Sequence, residues 1–154
     1  MYADRVRKLT LYTLGFTQKS AEQFFEPIKS CGIQLLVDIR LYNKSQLAGF
    51  TNGRDLPYFL DKLCGCRYEH RLDYAPTKKL LQDYRDELIT WQEYEIQYKF
   101  LMDERGAVRD FIARYGLCEP VCLLCSEPTP EQCHRRLLAE MIAESLPGTE
   151  IIHL

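Results

Sequence analysis

Two cysteines, a glutamate, a histidine and two arginines crowd into a dozen residues of this 154-residue chain, as Cys125-Ser126-Glu127 and Cys133-His134-Arg135-Arg136. A thiol becomes a nucleophile or a metal ligand only as its thiolate. A histidine or glutamate nearby can move the proton, and an arginine can hold an anion. Thr129 reads as an N-cap, Pro130 suits the first helical position, and Gln132 completes a capping box. A helix over 130–145 is therefore expected, with Cys133 and His134 in its first turn and a half. Free N–H groups and the positive dipole end there favour a thiolate, and equally a bound phosphate or carboxylate. The rows Cys133, Leu137, Met141 and His134, Leu138, Ile142 should turn toward a sheet. Arg136, Glu140 and Glu144 form a solvated charged row. Arg135, followed by Ala139 and Ala143, can reach either way.

Positioning these groups is the task of the elements around them. "LTLYTLG" (9–15) reads as a strand and 20–30 as a helix closed by Cys31-Gly32. "IQLLVDIR" (33–40) is a buried strand with a charged end. A helix follows from Asp55, with Pro57 in its first turn, to about Leu63. "CRYEH" (66–70) is a short strand. Thr77 begins a long helical region, with a break near residue 90 where Thr90 and Glu93 resemble a capping box. Another helix spans about 107–115. "PVCLLC" (120–125) lacks polar alternation and reads as a strand buried on both faces, and "EIIHL" is a last strand after Pro147-Gly148.

Strands alternating with helices predict one α/β domain over 1–154: a three-layer Rossmann-like fold with a mainly parallel sheet and helices on both faces. Ligands in such folds bind at the carboxyl ends of the strands. Those ends carry Thr17, then Asp38 and Arg40, then His70, then Cys125 and Glu127. Asp38 and Arg40 share one strand face, as a structural ion pair or as ligand-binding groups. Cys122 reads as a structural core thiol and His153 as a core or edge histidine.

Composition bounds the function. Hydrophobic residues make up 46% and charged residues 27%, with a formal net charge of −2. That argues against a surface built throughout for nucleic acid. No apolar run approaches the roughly 18–20 residues that cross a bilayer, and no signal peptide is apparent, so a cytosolic protein without a membrane partner is expected. Most of the seven cysteines then read as reduced thiols. No metal is expected. Cys122-x2-Cys125 has half a zinc spacing, but a strand sends the two to opposite faces, and adjacent ligands at 133 and 134 are awkward. Walker and glycine-rich dinucleotide motifs are absent, and no cofactor is expected.

The chain resembles the bacterial and archaeal family called domain of unknown function 488. The resemblance rests on Thr13-Leu14-Gly15-Phe16-Thr17, Leu36-Val37-Asp38-Ile39-Arg40, Ser45 with Gly49-Phe50, Tyr68 with His70, and Cys125-Ser126-Glu127 with Pro130 and Cys133-His134-Arg135. The Cys-x-Glu…Cys-His-Arg element is its most specific part. It implies an α/β domain with a clustered polar site and supplies no agreed activity. Where the family has Leu-Gly-Gly after the histidine, this chain reads "HRLDYAPTKKL", a difference expected at one wall of the site.

The reading favoured is a small enzyme acting on an anionic, phosphate- or nucleotide-like substrate. Cys125 or Cys133 would be the nucleophile. His70 or His134 would move protons, and Asp38 and Glu127 would orient or act as base. Arg40, Arg135, Thr17 and Ser45 would bind substrate. The alternatives are a nucleotide- or nucleic-acid-binding module, using basic and aromatic residues such as Tyr42, Lys44, Tyr68, Arg71 and Tyr74, and a thiol redox protein using Cys125 and Cys133.

Overall fold

The computed structural model describes residues 8–44, 48–117 and 120–154. Five strands, β1 (Thr10–Gly15), β2 (Leu35–Asp38), β3 (Arg67–His70), β4 (Val121–Cys125) and β5 (Glu150–His153), form one sheet in the order β3-β2-β4-β1-β5. Every pairing is parallel, so the mainly parallel sheet read from the sequence is wholly so among the described residues. The helices are α1 (Ala21–Ser30), α2 (Leu56–Cys64), α3 (Lys78–Arg85), α4 (Trp91–Arg105), α5 (Ala107–Tyr115) and α6 (His134–Ser145).

The strand period of two divides the chain between two cores. Leu11, Leu35, Val37, Val121 and Leu123 face one side, with Leu80 of α3, Tyr94 and Tyr98 of α4, Phe111 of α5 and Leu137 of α6. Leu14, Leu36, Cys122 and Leu124 face the other, with Phe24 and Ile28 of α1 and Leu56 and Leu60 of α2. The result is the three-layer α/β arrangement. Fully burying each such Leu, Ile, Val or Phe contributes roughly 1.5–3 kcal/mol over leaving it exposed.

Local chemistry sets the helix ends. Ser20 accepts from the Gln23 amide while the Gln23 side chain accepts from the Ser20 amide, a full capping box. Thr77 and Thr90 cap α3 and α4 through their hydroxyls, so the break near residue 90 is real. Asp55 precedes α2 but makes no side-chain cap bond.

β4 lies between β2 and β1. The helices after β1 and β2 pack on one face and α6, after β4, packs on the other. Connections that leave neighbouring strands toward opposite faces open a crevice at the carboxyl edge. Cys125 lies at that point.

Candidate functional site

Cys125 is the last residue of β4, and its odd register turns it to the α6 face. α6 begins at His134, four residues later than the turn chemistry of Thr129 and Pro130 predicts. The reason is local. The Arg136 guanidinium donates to the carbonyls of Pro130 and Glu131, and Tyr84 donates to Gln132 Oε1 at 3.0 Å, so residues 130–132 are held as a turn outside the helix. Cys133 is thereby the N-cap residue, extended at φ −139° and ψ 138°, while His134 is the first helical residue. This change of backbone conformation between neighbours lets both side chains reach one point. The sulfurs of Cys125 and Cys133 are 2.8 Å apart, and Cys125 Sγ lies 3.5 Å from His134 Nδ1.

His134 Nε2 is 2.8 Å from the Ile39 carbonyl. A carbonyl only accepts, so the proton of the neutral ring is on Nε2 and the lone pair is on Nδ1; Cys125 Sγ lies 3.5 Å from Nδ1 and 3.8 Å from Nε2, beside the ring and not in line with that lone pair. Tyr98 stacks obliquely on the ring at 5.4 Å and donates its hydroxyl to the Tyr74 carbonyl at 2.8 Å. The electrostatics separate the two thiols. Burial works against ionisation of Cys125. The Cys133 hydrogen bond, the Arg135 charge and the amides of Ser126 and Glu127 outweigh it and hold Cys125 below its ordinary value. Cys133 is pushed well above its own, first by burial and then by Cys125. Cys125 is therefore the sulfur disposed to carry charge and Cys133 the donor.

A cavity of about 100 Å³ opens onto these groups. Its floor includes Cys125, Cys133 and His134; its wall includes Tyr84, Trp91, Tyr94 and Arg85, and Glu127 stands at its edge. Trp91 and Tyr94 stack at 5.1 Å and 20°. Cys125, Cys133 and His134 also offer three ligand atoms within 4.8 Å of one another, the group among the described residues that could hold a metal ion.

Of the other predicted site residues, Arg40 and Glu127 line the cavity; Asp38, His70, Arg135 and Thr17 do not. Asp38 is fully buried and receives the Arg40 Nε at 2.8 Å, the Arg40 Nη2 at 2.7 Å, the Arg40 amide at 3.1 Å and the Tyr68 hydroxyl at 2.5 Å. Arg40 also donates to the Thr51 carbonyl at 2.8 Å, and burial of its charge is outweighed by Asp38, which raises its pKa. Arg40 touches the cavity, yet its guanidinium is committed to Asp38 and Thr51. His70 donates Nε2–H to the Arg40 carbonyl at 2.7 Å and accepts from Asn43 at its Nδ1. His70 and His134 thus fasten the two carbonyls that follow β2. These contacts engage the Asp38 carboxylate, the Arg40 guanidinium and both His70 nitrogens with the chain's own groups.

Arg135 is fully buried but turned from the cavity, toward Thr13 Oγ1 at 3.3 Å and the Glu127 carbonyl at 2.6 Å. It acts on Cys125 through charge and by fixing the loop. Thr17 donates its amide and hydroxyl to the Ser126 carbonyl, so it too holds that loop. The Glu127 side chain is exposed. Ser45 lies outside the described residues. Of the basic and aromatic set, Tyr74 is buried, Tyr68 is bonded to Asp38 and Arg71 is paired with Asp73 and Asp110, while Tyr42 is exposed. Cys122 faces the opposite core from Cys125, as strand alternation predicts.

Of the wall residues, Tyr84 and Trp91 recur at helical spacing in the sequence, and such spacing does not tell a core face from a cavity wall. Thr13 carried a signal: a polar residue in an apolar strand, opposite β4 and under Arg135.

No helix among the described residues is long and apolar enough to cross a membrane. No curated protein and no solved structure matched the chain. The family model described as "Domain of unknown function DUF488" matches residues 20–142, from the cap of α1 into the last turns of α6. That span includes β2, β3, β4 and the whole thiol cluster, and the chain belongs to this family.

Proposed function

We propose that the chain is a small thiol enzyme whose nucleophile is Cys125 and whose substrate is anionic and nucleotide-like. One observation carries this reading: Cys125 Sγ, at the floor of the cavity, has Cys133 Sγ at 2.8 Å and the His134 ring beside it, with Nδ1 at 3.5 Å and Nε2 at 3.8 Å. Nucleophile, base and orienting group are the parts of covalent catalysis, and the Ile39 carbonyl is the orienting group. His134 takes the Cys125 proton. The thiolate bonds to the electrophilic centre, and the leaving group departs with the bonding electrons and receives that proton. Water, deprotonated by His134, then releases the product and restores the thiolate. The Ser126 and Glu127 amides suit negative charge beside Sγ. Trp91, Tyr94 and Tyr84 suit a planar group, and Arg85 at the wall suits its phosphate.

Brief alkylation of the reduced protein with iodoacetamide, followed by peptide mapping, tests the nucleophile. Cys31 and Cys64 are more open to solvent than Cys125, which is 3% exposed. Labelling of Cys125 ahead of both is the expected result. Labelling of Cys125 only after them removes the basis for nucleophilic catalysis.

The sulfur separation favours a second reading, dithiol–disulfide exchange. Cys125 would attack a small disulfide and expel one thiol, and Cys133 would then displace the second. Two thiols are oxidised and one disulfide is reduced to two thiols. A mixed disulfide on Cys125 trapped in Cys133→Ser supports it, and an unmodified chain counts against it.

A further inference from the structure

We infer that Cys125, Cys133 and His134 form a three-ligand site for a soft divalent cation of the zinc class, with its fourth position open to the cavity. The donor set comes first. Two thiols and an imidazole select zinc over magnesium or calcium, which take oxygen ligands. A tetrahedral zinc at about 2.3 Å from sulfur and about 2.0–2.1 Å from nitrogen needs S···N and S···S edges of roughly 3.6 and 3.8 Å. The Cys125–His134 edge is 3.5 Å. The two sulfurs, 2.8 Å apart, need open by only about 1 Å to reach the tetrahedral edge.

The second argument is the histidine. A metal-bound imidazole holds its other N–H on a carbonyl or carboxylate, which fixes the tautomer and aims the bare nitrogen. His134 has the carbonyl partner, Nε2–H on Ile39 O at 2.8 Å, which leaves Nδ1 as the ligand atom; Cys125 Sγ lies 3.5 Å from Nδ1 and 3.8 Å from Nε2, so binding turns the ring to aim Nδ1 at the ion. The start of α6 is the third. Adjacent ligands are awkward within one regular element, but Cys133 is extended and His134 helical, so both reach the same point. Cys122 takes no part, because it faces the other core.

All three ligands also line the cavity, so a bound ion keeps one position for water or for a ligand atom. Three protein ligands and an open fourth are the pattern of reactive rather than structural zinc sites. Uptake ionises both thiols and releases their protons. It also ties up the lone pair that Cys125 needs as a nucleophile, so zinc and alkylation compete for one sulfur. The inference does not rest on the thiol-enzyme reading.

The test titrates the reduced, chelator-stripped full chain with zinc chloride against a chromophoric chelator. One zinc per chain is expected. Even loss of an outer-shell partner costs roughly 10–100-fold in affinity, so Cys133→Ser should weaken binding at least about tenfold, while Cys122→Ser should leave it unchanged. Cys133→Ser keeps the side-chain shape at the N-cap, and its circular dichroism shows whether it folds. Saturating zinc should also slow iodoacetamide at Cys125. Less than one zinc per chain, a loss under tenfold in folded Cys133→Ser, or undiminished alkylation under saturating zinc would each overturn the site. The two readings fail separately. Slow alkylation of metal-free Cys125 with zinc still bound removes the nucleophile and leaves the site; fast alkylation that zinc does not change removes the site and leaves the nucleophile.

Discussion

Asp38→Ala separates a positioning role from a chemical one. Asp38 and Arg40 have side-chain exposures of 0% and 1%, and the substitution deletes the only carboxylate bonded to the Arg40 guanidinium among the described residues. It also removes the acceptor of the Arg40 amide and one partner of the Tyr68 hydroxyl. Breaking a buried ion pair from one side costs roughly 3–5 kcal/mol, because the remaining charge is left uncompensated. In a chain of this size each kcal/mol lowers Tm by about 2–4 °C, so a fall of roughly 6–20 °C is expected. Differential scanning calorimetry on wild type, Asp38→Ala and the double variant Asp38→Leu with Arg40→Met reads it. The double variant should recover more than half of the loss, since apolar replacement of both partners is often close to neutral. At a temperature where every variant is folded, Cys125 should still be alkylated first. A fall of less than about 3 °C, equivalent to roughly 1 kcal/mol, together with loss of Cys125 reactivity, would refute the reasoning and place Asp38 in the chemistry.

Gly15→Ala should destabilise the chain by at least the roughly 1–3 kcal/mol of overpacking, because a Cβ there would lie 1.6 Å from the Glu127 carbonyl oxygen and 2.8 Å from Arg135 Nη1; urea midpoints check this. Tyr98→Phe leaves the Tyr74 carbonyl without its hydroxyl donor and should cost roughly 1–3 kcal/mol in the same assay. Burial pushes the Asp110 carboxyl up, but the Tyr74 hydroxyl, Arg114 and Arg71 outweigh it and hold its pKa below the ordinary value. Its stabilisation is therefore complete above the ordinary carboxylate pKa and is lost as pH falls through the folded value. Asp110→Asn should flatten the acid limb of the stability curve, by a small and salt-sensitive amount because the group is partly exposed.

Periodicity carried most of the fold. The apolar runs of β2 and of residues 120–125 and the caps Thr77 and Thr90 are local signals, and local signals survive in a single sequence. The sheet order is not local, since β4 enters between β2 and β1 only through long-range pairing. The start of α6 misled for a definable reason: Thr129, Pro130 and Gln132 have cap chemistry, but Arg136 and Tyr84 hold their segment as a turn. That difference decides the site. It converts Cys133 from a helical residue into an extended cap and brings neighbours 133 and 134 to one point, which spacing rules for metal ligands do not anticipate. Convergence at the carboxyl edge was legible, but its division was not. Residue types alone do not distinguish Asp38 and His70, committed to the chain after β2, from Cys125 and His134, open to a cavity.

Limited oxidation by a diazenedicarboxamide tests the meeting of the two sulfurs most directly. The reagent takes two electrons and two protons from a pair of nearby thiols, and non-reducing peptide mapping reports which pair. With Sγ atoms 2.8 Å apart, Cys125 and Cys133 should link first, with Cys31, Cys64, Cys66 and Cys122 staying free. A first link between any other pair, or Cys125 and Cys133 recovered as separate thiols at full consumption of the reagent, would contradict the site.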